Sequence, residues 1–165
     1  MDQSDKGTFI STKQDIRRVS DAELHSFLES IGERKFRSKQ IAEWLWKKNA
    51  RTIDEMTNLS QRTRSLLADN FSLHRLQVTE EQKSTDGTIK SAIKLMDDAV
   101  IEGVLIPTSK RTTACISSQV GCSLTCKFCA TGSLKLKRNL FADEIVDQVV
   151  LINGQAQERY GKNLS

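Results

Sequence analysis

The spacing of apolar residues changes near position 73, which limits the chain to a helical part followed by a β-sheet part. Before that position, apolar residues recur every three to four positions, as on one face of a helix. Ser20 and Glu23 have the spacing of a capping box and predict the start of a first helix. Two more helices are predicted, one after Ser38 and one from Ser60. The first part is therefore predicted to be a three-helix module.

Beyond position 73 the apolar period is two, which is typical of half-buried β-strands. Asp86-Gly87 predicts a tight hairpin turn, because both residues tolerate positive φ. Pro107 ends the next apolar strand, a further strand is predicted at TTACISS, and Asp143 opens a long helix. The predicted fold class is α+β, with a helical module, antiparallel strands and then one strand–loop–helix unit.

These patterns divide the chain of 165 residues into four predicted parts. They are a flexible arm over 1–18, the helical module over 19–72, the antiparallel β segment over 73–110, and the strand–loop–helix unit over 111–165. No run approaches the roughly 18–20 apolar residues of a membrane span. The polar start of the sequence also lacks the apolar centre of a signal peptide. We therefore expect a cytoplasmic protein with no membrane partner.

Basic residues are concentrated around the second predicted helix, and Glu43 is the one acidic residue among them. The net charge of +4 is compatible with an RNA partner without requiring one. One interpretation is a solvated face whose cations lie near helix ends, and the other is a phosphate-binding patch. The candidate RNA-contacting residues are Arg34, Lys35, Arg37, Lys39, Lys47 and Lys48.

All four cysteines lie between positions 115 and 129, and three of them, Cys122, Cys126 and Cys129, are spaced C-x3-C-x2-C. Where thiols stay reduced, this clustering favours metal or redox chemistry over structural disulfides. Structural zinc usually takes two close cysteine pairs, and this segment has one. Three thiolates on a cubane [4Fe-4S] cluster would keep one iron open for a ligand. Cys115 is either part of this chemistry or a small buried side chain.

The spacing of these three cysteines, between a strand and a helix, is that of the radical S-adenosylmethionine (SAM) superfamily. The segment RTTACISSQVGCSLTCKFCATGSLKLKRNL resembles the RlmN/Cfr family of radical SAM RNA methyltransferases. The upstream segments GERKFRSKQIAEWLW, TIDEMTNLS, STDGTIK and IEGVLIP agree with the family in order. The resemblance implies that residues 111–165 begin a partial (β/α) barrel. Family members are more than twice as long, so the resemblance also implies a truncated barrel that is inactive alone.

The resemblance assigns a role to each candidate site residue. The three cysteines of the motif would hold a [4Fe-4S] cluster whose open iron binds SAM, and Phe128 would lie near SAM. Glu102 would accept a proton from the adenine, although its strand position alone predicts only an exposed residue. Cys115 would be the cysteine that resolves a protein–RNA adduct by forming a disulfide, with its partner absent from this sequence.

The implied activity is methylation of carbon 2 of an adenine in 23S rRNA and tRNA. The resemblance further implies a [4Fe-4S] cluster and SAM as cofactors, an external flavodoxin-like electron donor, a monomer, and an RNA-engaging role for the helical module. Two alternatives stay open from the sequence. One is Cfr-type methylation at carbon 8, and the other is a non-catalytic RNA-binding module whose cysteines hold zinc or nothing.

Overall fold

The computed structural model describes residues 13–124, 126–127, 131 and 134–165. The chain divides into two compact units, Met1–His74 and Arg75–Ser165. Among the described residues, the first unit has three α-helices and two short 3-10 helices. These elements are α1 (Asp21–Ser30), α2 (Phe36–Trp46), α3 (Gln61–Asn70), and the 3-10 helices Ile16–Arg18 and Ile53–Glu55.

Side-chain caps set where the helices of the first unit begin. The Ser20 hydroxyl accepts from the Glu23 N–H, and the Glu23 carboxylate accepts from the Ser20 N–H at 2.9 Å, so the predicted capping box is confirmed. The Ser60 hydroxyl accepts from the Thr63 N–H at 3.1 Å and caps the start of α3, as predicted. Helix α2 starts at Phe36, earlier than predicted, because Ser38 lies inside its first turn and donates to the Lys35 carbonyl.

The core of the first unit also includes residues that the sequence assigned to the flexible arm. Ile16 is only 2% exposed, and its N–H donates to the Ser72 carbonyl at 2.9 Å. Residues 15–18 are therefore buried or half-buried, and residues 1–12 lie outside the described part of the chain. The buried apolar residues of this core are Ile16, Leu24, Leu28, Ile41, Leu45, Ile53, Met56, Leu59 and Leu67.

The second unit combines antiparallel strands with one long helix, which confirms the α+β class. Four antiparallel strands pair in the order β1-β2-β3-β4, and two short strands, β5 and β6, form a separate antiparallel pair among the described residues. The elements are β1 (Gln77–Lys83), β2 (Ile89–Lys94), β3 (Val100–Pro107), β4 (Thr112–Cys115), β5 (Gln119–Val120), β6 (Arg138–Asn139) and α4 (Ala142–Tyr160).

The predicted Asp86-Gly87 turn joins β1 to β2. Gly87 has a φ of +88°, and the Asp86 carboxylate accepts from the Thr88 N–H at 2.9 Å. This hydrogen bond from the Thr88 backbone lowers the pKa of Asp86. The turn prediction is confirmed, since it rests on local residues that satisfy each other.

Helix α4 covers one face of the four-stranded sheet. Ile152 of α4 is fully buried and clusters with Ile89 of β2 and Leu105 of β3. A Cβ on Gly103 of β3 would lie 3.0 Å from the Ile152 side chain, so helix and strand are in close contact there. Because side chains alternate along a strand, the neighbours of Gly103 project from the other face of the sheet.

The described part of the chain holds no helix that is both long enough and apolar enough to span a bilayer.

Candidate functional site

Glu102 and Cys115 lie on the same open face of the four-stranded sheet. Cys115 pairs with Val104 across β3 and β4, and residues paired in this way share a face. Val104 and Glu102 are two residues apart on β3, so both project from the face opposite to Gly103 and α4. Cys115 is an exposed free thiol, which rules out the alternative of a buried packing residue.

The Glu102 carboxylate is open to solvent and is paired with a cation from β2. Its side chain is 58% exposed and forms an ion pair of 2.9 Å with Lys90 on β2. Such an exposed pair contributes only about 0–1 kcal/mol, so a ligand that binds this face can replace Lys90 at little cost. The Glu102 backbone is held more firmly, because its carbonyl accepts from the Ser117 hydroxyl at 2.8 Å.

The segment that begins after Ser117 and ends at Arg138 carries the three motif cysteines and is called the cysteine loop. The loop is closed at its base next to this sheet. Strands β5 and β6 pair Val120 with Arg138, and the Cys122 N–H donates to the Leu134 carbonyl at 3.2 Å. Gly121 has a φ of +76°, and a Cβ at this position would lie 2.2 Å from the Lys135 carbonyl oxygen. Only glycine fits this approach of the two ends of the loop.

Two of the three motif cysteines are described, and both carry free, half-buried thiols. The Leu124 N–H donates to the Cys122 sulfur at 3.4 Å. Cys129 and Phe128 lie outside the described residues, so their predicted roles stay predictions. Within the described ranges no group of three or more potential metal ligands is found.

The donor chemistry of this loop fits an iron–sulfur cluster and also fits zinc. Soft thiolates are the usual ligands of such clusters, and Cys122 and Cys126 supply two of them. His25 hydrogen-bonds to Ser38 within the first unit, at 2.7 Å, so it already has a structural partner there.

An ion-pair network that the sequence pattern does not predict joins the end of the cysteine loop to α4. Arg138 donates two hydrogen bonds to Glu144, at 2.8 and 2.9 Å, and one to Asp97 at 2.8 Å. The hydrogen bond from Arg138 lowers the pKa of Asp97, and hydrogen bonding to Glu144 raises the pKa of Arg138. Glu144 also accepts from the Phe141 N–H at 2.9 Å, so it caps the start of the helix.

A second unpredicted contact holds the start of the same loop. The Gln148 side chain of α4 accepts from the Ser117 N–H at 2.8 Å and donates to the Ser117 carbonyl at 3.0 Å. The only sequence signal for these contacts is that polar Glu144 and Gln148 stand four residues apart beside apolar residues of the helix.

The predicted RNA-contacting residues differ in how available they are. Arg37 is half-buried and donates to Glu33, to Gln40 and to the Asn58 carbonyl, at 3.2, 2.8 and 3.1 Å. Its guanidinium therefore stabilises the first unit. Of the other basic side chains, Lys35 pairs with Glu29 at 3.1 Å, and the Lys48 ammonium lies 3.9 Å from the Trp44 ring centre. Of the predicted RNA-contacting residues, the exposed ones are Arg34, Lys35, Lys39, Lys47 and Lys48.

Comparison with known proteins gives consistent matches for both units. Residues 14–73 match the family described as the ribosomal RNA large subunit methyltransferase N-terminal domain. The crystal structure of a radical SAM methyltransferase from Sphaerobacter thermophilus superposes with a TM-score of 0.73 at 39% identity, covering 92% of this chain and 44% of that one. The fold and the cysteine loop therefore define a chain of the radical SAM methyltransferase class.

Curated relatives define the family within this class. A protein from Cytophaga hutchinsonii is 57% identical over 148 residues, covering 90% of this chain, and one from Christiangramia forsetii is 51% identical over 153 residues, covering 93%. Both are named probable dual-specificity RNA methyltransferase RlmN. The chain is similar over 90% and 93% of its length to these two RlmN relatives, which confirms the resemblance, and it spans 40% and 44% of their own length.

Proposed function

We propose that this chain is the part of a radical SAM RNA methyltransferase that binds the iron–sulfur cluster and helps engage RNA. The carrying observation is that Glu102 and Cys115 share one open sheet face, directly before the cysteine loop. The target proposed is carbon 2 of an adenine in 23S rRNA and tRNA. Relatives named as dual-specificity RNA methyltransferases support two RNA substrates.

In this proposal Cys122, Cys126 and Cys129 hold a [4Fe-4S] cluster, and Phe128 lies beside SAM. When bound, the cluster supplies one-electron cleavage of SAM, with the electron coming from an external flavodoxin-like donor. The described thiols support this role, since both are free and half-buried in a loop with a closed base. The first unit contacts RNA through its exposed basic residues, and the protein works as a cytoplasmic monomer.

Glu102 and Cys115 act on the RNA in this proposal. Glu102 removes the proton from carbon 2 of the modified ring, which suits an accessible carboxylate whose only described cation is the weakly held Lys90. Cys115, having lost its proton, then attacks the sulfur that links the protein to the RNA and forms a disulfide with that sulfur, which belongs to a cysteine outside this sequence. The sulfur–carbon bond breaks, and its electron pair stays with the carbon, which takes up a proton to become the methyl group on the RNA. The exposed, unpaired thiol of Cys115 supports that role.

Replacing residues in the chromosomal gene tests this function on the protein at its natural length. Nucleosides from 23S rRNA and tRNA are analysed by mass spectrometry after the substitution Glu102→Gln or Cys115→Ser. We expect 2-methyladenosine to be lost from both RNA classes. The matched control is Glu80→Gln, because Glu80 pairs with Ala92, which in turn pairs with Glu102, so both carboxylates share a face. Loss of 8-methyladenosine instead would identify carbon 8 as the target, and unchanged RNA would refute the activity.

The cluster is tested separately by anaerobic reconstitution of the chain with iron and sulfide. We expect a brown protein whose iron content falls when Cys122 or Cys126 is changed to Ala. A colourless protein that binds one zinc per chain would favour the non-catalytic RNA-binding module.

A further inference from the structure

We propose that Glu144 and Gln148 of α4 are positioning residues that hold the two ends of the cysteine loop before any cofactor binds. The loop begins after Ser117 and ends at Arg138, and each of these residues bonds to one of the two α4 side chains. The consequence for cluster binding rests on the proposed function, whereas the anchoring itself does not.

Gln148 satisfies the backbone of Ser117 completely with one side chain. It is 0% exposed, and its amide accepts the Ser117 N–H at 2.8 Å while donating to the Ser117 carbonyl at 3.0 Å. The same amide nitrogen donates to the Glu144 carbonyl at 3.1 Å, which fixes the orientation of the side chain. A buried apolar replacement would leave both polar groups of Ser117 without this partner, which is costly.

Ser117 is the point where this anchor reaches the proposed catalytic face. It lies between Cys115 and Cys122 in the sequence, and its hydroxyl donates to the Glu102 carbonyl at 2.8 Å. One residue therefore connects α4, the Glu102 backbone and the segment that joins the exposed thiol to the first motif cysteine.

Glu144 holds the other end of the loop one helical turn earlier. It is buried, and both of its carboxylate oxygens accept from Arg138, which directly precedes Asn139 at the end of β6. Residues four apart lie on the same face of a helix, so one turn of α4 holds both ends of the loop. Fixing both ends removes conformations that would separate the thiols, and this favours binding of a ligand that needs all of them.

Hydrogen exchange on the metal-free chain tests the anchor directly. In Gln148→Leu we expect amide exchange in residues 115–124 to rise by about tenfold or more, because local opening becomes easier. The matched control is Gln155→Leu, in the same helix. Gln155 is also buried, at 8% exposure, but it donates to Glu81 and Ser91 of the sheet, at 2.6 and 2.8 Å. In the control we expect faster exchange around Ser91 and unchanged exchange in the loop.

A second variant, Glu144→Gln, tests the other anchor. The substitution removes the negative charge of Glu144 from its ion pair with Arg138. We therefore expect faster amide exchange at residues 138–140, with little change near Ser117. Loop protection equal to wild type in both anchor variants would overturn the proposal. So would a rise of the same size in the loop of Gln155→Leu, because the effect would then report overall stability.

Reconstitution then measures what the anchor does for the cluster. We expect Gln148→Leu to bind less iron and sulfide per chain and to give a broadened electron paramagnetic resonance signal after reduction, while Gln155→Leu matches wild type. A normal signal and full iron content in Gln148→Leu would refute the positioning role even if the loop exchanges faster. If wild type binds no cluster, the proposed function fails, and the exchange experiment still decides whether α4 anchors the loop.

Discussion

Gly121 is the residue on which the closed base of the cysteine loop depends most directly. Its positive φ and its distance to the Lys135 carbonyl both exclude a side chain. A left-handed conformation costs a non-glycine residue about 1–3 kcal/mol, and here backbone atoms of the facing segment would also have to move. The sequence shows a glycine before Cys122, but it does not show that Lys135 crosses there, because that contact depends on the return path of the loop.

We therefore expect Gly121→Ala to lower the free energy of unfolding by roughly 2 kcal/mol or more and to reduce iron uptake. The control is Gly154→Ala in α4. A Cβ there meets no atom within 4 Å, so this change should stabilise the chain by about 0.5–1 kcal/mol. Thermal and urea unfolding of the two variants check both signs, and a stable Gly121→Ala protein would show that the loop closes differently.

At the level of elements, helix α4 shows how far a sequence pattern reaches. Its position and the fully buried Ile152 agree with the predicted helix, yet much of its buried face is polar and Val149 is 40% exposed. The buried polar residues are Asp143, Glu144, Asp147, Gln148 and Gln155. Hydrophobic period predicts an apolar buried face, whereas these residues are buried because partners distant in sequence, such as Arg75 for Asp147, satisfy them.

The hairpins are easier to predict than the buried face of α4, because they depend on residues close in sequence and not on distant partners. The Asp86-Gly87 turn and the alternation along β2 depend on neighbouring residues, so the sequence contains the whole signal. The shared face of Glu102 and Cys115 depends on the pairing of β3 with β4 across a loop. From spacing alone Glu102 was only an exposed strand residue, and the resemblance to a family was needed to single it out.

Arg138 links Asp97, in the turn after β2, to Glu144 of α4, and this link predicts how stability depends on pH. The pKa of Asp97 is lowered by its hydrogen bond from Arg138, so its stabilising contribution is present above the unfolded pKa of 3.8 and is lost as pH falls. We expect Asp97→Asn to melt below wild type at pH 6, and the difference to shrink as pH falls from about 5 to about 2.5. Equal melting temperatures at pH 6 would show that Asp97 contributes nothing to this link.

At the scale of the whole molecule, the chain contains two units with separate cores, Met1–His74 and Arg75–Ser165. The family match to residues 14–73 ends beside this boundary, and the change in the spacing of apolar residues near position 73 lies there too. The thiols and Glu102 belong to the second unit, and the predicted RNA-contacting residues belong to the first. The proposed catalytic and cluster-binding residues can therefore be altered independently of the proposed RNA contacts.

The RNA contacts of the first unit are tested by removing exposed lysines while keeping Arg37, which stabilises the fold. The variant changes Lys35, Lys39 and Lys47 to Gln, and the control makes the same charge change in the second unit at Lys83, Lys110 and Lys162, which are also exposed. Each phosphate contact contributes about 0.7–0.9 to the dependence of log affinity on log salt, so we expect the slope to fall by about 2 in the first variant. The control should bind a tRNA transcript with nearly the wild-type slope. Equal loss in both variants would mean that only net charge attracts RNA, and the basic residues around α2 would then be an ordinary solvated face.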